Sequence, residues 1–280
     1  MSSHVITDVL VTTDWVAQHA TDTGTRVVEV DVDTTAFDQA HVPGAAGWNW
    51  TTDLCDTRIR DIVPADNLEK LLGRTGIDNE TTIVLYGDNN NWFAAWAFWQ
   101  LKIYGHEDVR IMDGGRKKWL AEGKELSPDT PKAAGKSYKA KDPDNSLRAF
   151  LPEVQDAVKG NKAALVDVRS PAEFTGEILA PPGLPETCQR GGHIPGAKSM
   201  PWAKLANDDG TFKSVDEIKK LYDGVGVTGD KPIIAYCRIG ERSSHSWFAL
   251  KYLLGYNNVK NYDGSWTEWG NLVGAPVEKP

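Results

Sequence analysis

Cysteine is scarce in this sequence: its 280 residues include only Cys55, Cys188 and Cys237, and no two of these form a C-x-x-C pair. An odd number of cysteines without such a pair excludes a disulfide framework and disfavours a zinc cage. One of the three is therefore a candidate nucleophile.

Long apolar runs are also missing. The longest uninterrupted run, Trp92–Trp99, is far shorter than the roughly 20 residues that span a bilayer. The first residues, Met-Ser-Ser-His-Val-Ile-Thr-Asp, lack the basic and apolar regions of a secretory signal. We therefore expect a cytoplasmic protein with no membrane partner.

Basic residues are in the minority. Lys and Arg number 31 against 39 Asp and Glu, which gives a net charge of -8. A nucleic-acid partner is disfavoured because phosphate backbones attract an excess of positive charge. A small anionic substrate remains compatible, since one pocket can be positive on an acidic protein. Hydrophobic residues make up 40% of the chain, enough to build real cores.

Two stretches of the chain resemble each other. Ile83–Gly87 aligns with Ile233–Cys237 at an offset of 150, and His41–Ala45 aligns with His193–Ala197 at an offset of 152. Several matches in one order at nearly one offset indicate two homologous domains rather than a solenoid. Gly87 then occupies the position that Cys237 holds in the second copy.

The segment between the two similar regions has the composition of a linker. It is rich in Lys, Pro, Asp and Ser and has no apolar periodicity. We predict a first domain over 6–123, a linker over 124–147 and a second domain over 148–276.

Each copy alternates predicted strands and helices. The apolar, β-branched runs Thr82–Leu85, Leu165–Val168 and Pro232–Tyr236 are typical of buried parallel strands. Helices are predicted over Ser214–Tyr222, which opens with a capping box, and over Ser243–Leu254, which stops at a glycine. This alternation predicts an α/β fold with parallel sheets flanked by helices.

Cys237 follows one of these strands, at the edge where parallel sheets bind ligands. The loop after it contains Gly240, and a helix follows, so backbone N–H groups and the helix N-terminus can point at the sulfur. Arg238 and Arg242 add positive charge. We therefore expect the pKa of Cys237 to lie below that of a free thiol, with no separate general base.

The other two cysteines are weaker candidates. Cys55 lies among the acidic residues Asp53, Asp56 and Asp61, which disfavour a thiolate. Cys188 follows a proline-rich loop, and we expect it to be exposed.

The spacing of the loop separates two reaction classes. Cysteine-dependent phosphatases use C-x5-R, whereas here Arg242 stands at C-x4-R and Ser243 occupies the next position. The shorter loop suits a terminal sulfur atom better than a phosphate. A phosphatase or arsenate reductase is therefore disfavoured.

Four motifs together resemble the tandem-domain rhodaneses, which are thiosulfate sulfurtransferases. They are Cys237–Ser243, Asp167–Phe174, the two H-[IV]-P-G-A segments and Asp263–Trp269. The amino-acid sequence of the loop is most similar to that of the actinobacterial members. The resemblance implies two rhodanese-like domains, of which the second is catalytic and the first, with Gly87 in place of the cysteine, is inactive.

What the resemblance implies is a relay through a persulfide on Cys237. The sulfur donor is thiosulfate, the acceptor is cyanide or a thiol, and no metal or organic cofactor is needed. Arg238 and Arg242 are expected to hold the sulfonate end of the donor. The rest of the substrate-binding loop consists of Ile239, Gly240, Glu241 and Ser243.

The sequence also departs from the best-known mammalian members. They carry a lysine where this chain has Ile239, and an arginine where it has Glu173, so positive charge is lost at both positions. Relatives that use 3-mercaptopyruvate have small neutral residues after the cysteine, so Arg238 favours thiosulfate. A 3-mercaptopyruvate sulfurtransferase and a non-turnover sulfur-carrier or docking module remain the alternatives.

The remaining polar residues near the motifs are predicted to be structural. Asp167 and Arg169 are expected to form an ion pair that supports the loop. His41 and His193 recur in both copies, which favours a role in the turn before Pro-Gly. His245, eight residues after the cysteine, is expected on the surface or in the N-terminal turn of the helix, with a position facing the pocket as the less favoured alternative.

Overall fold

The computed structural model describes residues 9–129, 133–160, 162–184 and 188–280. These residues form two compact units, one containing the described residues up to Asp144 together with Asp208–Phe212 and the other containing the rest. The predicted domain boundaries stay predictions, and the predicted start at residue 6 lies outside the described residues. No helix in the described part of the chain is long and apolar enough to cross a membrane.

Seven strands lie in the first unit: β1 (Leu10–Val11), β2 (Thr25–Asp31), β3 (Ala46–Asn49), β4 (Cys55–Asp56), β5 (Asp61–Ile62), β6 (Thr82–Tyr86) and β7 (Val109–Met112). Five of them form a parallel sheet in the order β1-β7-β6-β2-β3, and β4 pairs with β5 in a small antiparallel ribbon.

The helices of this unit are α1 (Thr13–His19), α2 (Thr35–Gln39), α3 (Trp50–Asp53), α4 (Ala65–Arg74), α5 (Trp92–Ile103) and α6 (Gly115–Ala121). α5 packs against β2, β6 and β7. Its aromatic and alanine side chains are apolar on nearly every face, as burial on several sides requires.

Four parallel strands in the order β11-β10-β8-β9 form the sheet of the second unit: β8 (Ala164–Asp167), β9 (Lys198–Ser199), β10 (Ile233–Tyr236) and β11 (Val259–Tyr262). The helices are α7 (Leu151–Gly160), α8 (Pro171–Thr175), α9 (Val215–Asp223), α10 (Glu241–Phe248) and α11 (Ser265–Trp269). α10 continues into a π-helical turn over Ala249–Leu253.

The predicted strands and helices are confirmed with small shifts. The three predicted strands correspond to β6, β8 and β10, and the capping box of Ser214 and Glu217 forms at the start of α9. The helix predicted from Ser243 begins two residues earlier, at Glu241, and its last turn is π-helical. The parallel α/β fold class is confirmed.

The two motif histidines occupy equivalent turns. Nδ1 of His41 lies 2.8 Å from the carbonyl oxygen of Phe37, and the two rings stack at 3.9 Å. Nδ1 of His193 lies 2.9 Å from the carbonyl oxygen of Phe174, and these rings stack at 3.6 Å. The repeated arrangement supports the predicted structural role, because it occurs with and without a neighbouring cysteine.

Candidate active site

Three strands of the second unit end side by side. Tyr236, the last residue of β10, pairs with Asp167 at the end of β8 and with Tyr262 at the end of β11. Because the strands are parallel, the segments that follow them meet at one edge of the sheet. This edge positions Cys237.

The loop after β10 curls around the sulfur of Cys237. The backbone N–H of Gly240 donates a hydrogen bond to Sγ at 3.1 Å. Gly240 adopts a left-handed conformation with φ of 102°, which favours glycine, and α10 starts at the next residue. The thiol donates in turn to Oε2 of Glu241 at 3.3 Å. The cysteine is fully buried.

The backbone of the loop is held by the segment after β11. The N–H of Cys237 donates to Oγ of Ser265 at 3.1 Å, and the N–H of Trp266 donates to the carbonyl of Cys237 at 3.0 Å. The N–H of Thr267 donates to the carbonyl of Arg238 at 3.0 Å. Ser265 has a φ of 55°, a strained conformation for a residue with a side chain. The sequence motif starting at Asp263 signals this contact, although sequence reasoning did not single out Ser265.

A buried polar network closes the other side of the loop. The carbonyl of Gly240 accepts hydrogen bonds from Oγ of Ser243, Oγ of Ser244 and Nδ2 of Asn261, at 2.9 to 3.1 Å. Oγ of Ser243 also lies 2.6 Å from Oδ1 of Asn261. Ser243, expected to bind substrate, is therefore engaged in holding the loop.

Arg242 is paired with a carboxylate from another helix. Its two terminal nitrogens donate to the two carboxylate oxygens of Glu173 in α8, at 2.9 and 3.0 Å, and both side chains are buried. Arg242 was expected to hold the sulfonate of a donor; Glu173 occupies its terminal nitrogens in this structure, and the donor-binding role stays a prediction. In the sequence, Glu173 stands out only as the loss of a positive charge, and no local pattern shows that it pairs with Arg242.

Arg238 and Ile239 form the remaining part of the loop. A terminal nitrogen of Arg238 lies 3.8 Å from Oε1 of Glu241, a loose contact beside the sulfur. Ile239 is more exposed than Arg238, Glu241 or Arg242, yet only 8% of its surface is accessible. The loop is thus shielded from solvent in this conformation.

The expected lowering of the Cys237 pKa is wrong for this structure. Burial raises the pKa of the thiol, and the carboxylate of Glu241 raises it further. Arg242 and hydrogen bonding from Ser243 lower the pKa, but by less. The sequence showed the positive groups of the loop but neither its burial nor the direction in which Glu241 points.

Asp167 and Arg169 form the predicted ion pair. A terminal nitrogen of Arg169 donates to Oδ2 of Asp167 at 2.6 Å. The same nitrogen donates to the carbonyl oxygen of Gly192 at 2.7 Å. The guanidinium also lies 4.5 Å from the ring centroid of Trp266, and the backbone N–H of Trp266 donates to the carbonyl oxygen of Cys237. The pair therefore supports the loop through this tryptophan.

Two expectations about exposure are wrong. His245 is buried in α10 with its ring edge-on to Trp202 at 5.4 Å, and burial lowers its pKa to about 3, so it is neutral at pH 7. Cys188 is buried as well, and its thiol donates to the carbonyl of Trp266 at 3.1 Å. All of α10 lies inside the unit, so the position of His245 in the sequence did not reveal its surroundings. Cys55 is half-buried.

The equivalent loop of the first unit has no room for a cysteine. A Cβ atom at Gly87 would lie 2.4 Å from the carbonyl oxygen of Val30. The N–H of Gly87 donates to Oδ1 of Asn91 at 3.0 Å, and Asn91 stands where the second unit has Glu241. Four strands of the first unit, β7-β6-β2-β3, thus have the same order as β11-β10-β8-β9 of the second unit, but the loop after β6 has no cysteine.

Metal ligands do not gather at this edge. Among the described residues, no group of three or more His, Cys, Asp or Glu side chains is arranged to hold a metal ion. The reactive group that the geometry presents is the sulfur of Cys237.

Two similar parallel α/β units, one of which carries a cysteine loop at the edge of its sheet, define a two-domain α/β protein whose candidate reactive group is a buried thiol. A sequence profile described as the Rhodanese-like domain matches residues 12–122 and 151–272. The chain belongs to this family, which confirms the resemblance seen in the sequence.

Similar proteins carry names from sulfur transfer. The chain is 57% identical to proteins of Haloferax volcanii and Saccharopolyspora erythraea, each provisionally named a thiosulfate sulfurtransferase, with 97% and 98% of this chain and 96% and 97% of theirs covered. It is 54% identical to the sulfur carrier protein TtuD of Thermus thermophilus, over 97% of both chains. These relatives include actinobacterial proteins, as the loop predicts.

Solved structures extend the similarity. The anaerobic ergothioneine biosynthesis enzyme of Chlorobium limicola, in complex with trimethyl histidine, superposes with a TM-score of 0.86 at 26% identity, covering 97% of this chain and 70% of that one. A structure of an EanB variant with a cysteine persulfide, in a tetrahedral intermediate state with ergothioneine, gives a TM-score of 0.80 at 26% identity, covering 92% and 65%.

Proposed function

We propose that this protein is a thiosulfate sulfurtransferase in which Cys237 carries the sulfur as a persulfide. The observation that carries the proposal is the loop around Sγ, where the N–H of Gly240 points at the sulfur from 3.1 Å. A preorganised N–H at this position stabilises anionic sulfur, as an oxyanion hole stabilises oxygen. The relatives named for thiosulfate support the choice of donor.

The reaction has two half-reactions. The sulfur of Cys237 attacks the outer sulfur of thiosulfate, the bond between the two thiosulfate sulfurs breaks, and its electron pair leaves with sulfite. Starting from the thiol, the proton leaves as well, and the products are an anionic persulfide and hydrogensulfite. Cyanide then attacks the outer sulfur of the persulfide, thiocyanate leaves, and the Cys237 thiolate is restored.

Arg238 is the residue we assign to the sulfonate of the donor. It lies next to the cysteine, and one of its terminal nitrogens lies 3.8 Å from Oε1 of Glu241, beside the sulfur. Guanidinium groups match the planar arrangement of two oxygens on such an anion. This assignment favours thiosulfate over 3-mercaptopyruvate.

The test is a comparison of donors in steady state. Thiocyanate formation is measured with thiosulfate and with 3-mercaptopyruvate, using wild type, Arg238→Ala, Cys237→Ser and, as a matched control, Cys188→Ser. We expect a higher kcat/KM with thiosulfate, a raised KM for thiosulfate in Arg238→Ala, and loss of activity only in Cys237→Ser. Higher kcat/KM with 3-mercaptopyruvate contradicts the proposed donor.

A sulfur carrier is the second candidate, because a relative 54% identical over nearly the whole chain bears that name. A carrier would accept sulfur on Cys237 but release it slowly to cyanide and quickly to a protein thiol. A persulfide that forms with thiosulfate and persists for minutes in excess cyanide identifies this function instead.

A further inference from the structure

Glu241 places a carboxylate in direct contact with the reacting sulfur. The thiol of Cys237 donates a hydrogen bond to Oε2 at 3.3 Å, and both residues are buried. The other oxygen, Oε1, lies 3.7 Å from Nε of Arg242 and 3.8 Å from a terminal nitrogen of Arg238. One oxygen of the carboxylate thus faces the two guanidinium groups, while the other holds the proton that must leave when the sulfur attacks.

A buried thiol at this position needs a proton acceptor. Burial raises the pKa of Cys237 and the carboxylate of Glu241 raises it further, so the cysteine rests as a thiol at neutral pH. The nucleophile, however, is the thiolate. A thiolate formed before the attack would lie 3.3 Å from the carboxylate of Glu241. Transfer of the proton to Oε2 during the attack avoids this pair of like charges, because the carboxyl becomes neutral as the sulfur becomes nucleophilic.

The other titratable groups on the adjoining elements have partners of their own or are neutral. The carboxylates are bound in ion pairs, with Arg242 for Glu173 of α8, Arg169 for Asp167 of β8, and Arg148 for Asp263 after β11. In α11, Glu268 accepts a hydrogen bond from the hydroxyl of Tyr262 at 2.6 Å. Burial lowers the pKa of His245, one turn further along α10, to about 3. The base in contact with Sγ is therefore Glu241.

We propose that Glu241 is the general base of the loading half-reaction and accepts the proton of Cys237 as Sγ attacks the outer sulfur of thiosulfate. This inference rests on the proposed function, and it replaces the expectation that the site needs no separate base. A base at hydrogen-bond distance from the proton that it removes contributes about 10²–10⁴-fold to the rate of such a step.

The bonds and electrons of this step balance. The S–H bond of Cys237 breaks, its proton binds Oε2 of Glu241, and its electron pair forms the new S–S bond. The S–S bond of thiosulfate breaks, and its electron pair leaves with sulfite. The carboxyl then passes the proton to the departing sulfite, which gives the anionic persulfide and hydrogensulfite of the proposed reaction and restores the carboxylate.

The experiment measures the rate of loading as a function of pH. Intact-protein mass follows single turnovers with saturating thiosulfate and no acceptor, between about pH 6 and 8, for wild type, Glu241→Gln, Glu241→Asp and Glu177→Gln. Thiosulfate is a dianion throughout this range. Glutamine keeps the shape of the side chain but takes up no proton, whereas aspartate keeps a carboxylate. Glu177 is an exposed glutamate of the same unit and controls for the loss of one charge.

The shape of the profile separates a base from a structural residue. Wild type, Glu177→Gln and the slower Glu241→Asp should change by less than about twofold across the range, because the carboxylate takes the proton directly from the thiol. Glu241→Gln should rise about tenfold per pH unit and load at least about tenfold slower than wild type at pH 6, because it depends on the thiolate fraction. Burial, the larger cause of the raised pKa of Cys237, persists in this variant. Damage to the loop lowers the rate without changing this slope. Equal profiles for wild type and Glu241→Gln, whether both are flat or both rise, overturn the inference.

Alkylation of Cys237 by iodoacetamide tests the base without a sulfur donor. The same base acts on attack at any electrophile, so we expect a flat profile in wild type and a rising one in Glu241→Gln, measured on the peptide that contains Cys237. Failure of wild type to load from thiosulfate at any pH contradicts the proposed function. Equal alkylation profiles contradict the assignment of Glu241 as the base, whichever donor the protein uses.

Discussion

Substitutions of Glu173 and of Glu217, compared with each other, separate the contribution of the buried ion pair to stability from that of helix capping. Each accepts a hydrogen bond from the backbone N–H of the serine that caps its helix, at 3.0 Å from Ser170 and 3.1 Å from Ser214. Only Glu173 is buried and bound by Arg242. Substitution by glutamine keeps the shape and the capping ability at both positions and removes the charge.

The two substitutions should differ strongly in their effect on stability. Glu173→Gln leaves the guanidinium of Arg242 buried without its main counter-ion, which costs about 3–5 kcal/mol. Glu241 still lies 3.7 Å from Nε of Arg242, so we expect the lower end of that range. Glu217→Gln lies on the surface and should change the free energy of unfolding by no more than about 0.5 kcal/mol.

Urea denaturation followed by circular dichroism measures the difference, since both residues lie in the same unit. Variants that differ by less than about 1 kcal/mol would refute the reasoning, because the ion pair would then contribute little beyond capping.

The same comparison predicts a pH dependence. Burial raises the pKa of Glu173, but hydrogen bonds and attraction from Arg242 outweigh it and hold the pKa below its ordinary value. A lowered carboxyl pKa adds stability above the pKa of the unfolded chain, and this stability is lost as the pH falls through the folded value. The advantage of wild type over Glu173→Gln should therefore be constant down to about pH 5 and shrink below about pH 4.

Two further substitutions test the loops. Gly87→Ala should lower the Tm of the protein, with a cost of about 1–3 kcal/mol, because its Cβ would lie 2.4 Å from the carbonyl oxygen of Val30; an unchanged Tm in calorimetry contradicts the described packing. Ser265→Gly keeps the left-handed backbone but leaves the N–H of Cys237 without its acceptor, so persulfide formation should slow about tenfold while the fold persists. A rate equal to that of wild type shows that the hydroxyl does not position the loop.

Much of the fold follows from local patterns. Short β-branched runs without alternation predicted buried parallel strands, and the serine and glutamate of a capping box predicted the start of α9. The internal repeat predicted two similar units. The position of Cys237 at the end of β10 followed from the same reasoning, because strand ends in parallel sheets gather at one edge.

The chemistry of the site depended on contacts that no local pattern contains. Glu173 and Arg242 are 69 residues apart and meet only after folding. Burial and Glu241 raise the pKa of Cys237, and Arg242 lowers it. The sequence shows which charges are present but not which of these effects is largest. The proline-rich loop before Cys188 and the position of His245 in the predicted helix suggested exposure, but the packing of their segments buries both.

Intact-protein mass after incubation with thiosulfate tests the central claim most directly. Wild type and Cys188→Ser should each gain one sulfur, about 32 Da, and cyanide should remove it as thiocyanate, whereas Cys237→Ser should gain nothing. The same gain on Cys237→Ser would contradict the assignment of Cys237 as the sulfur-carrying residue.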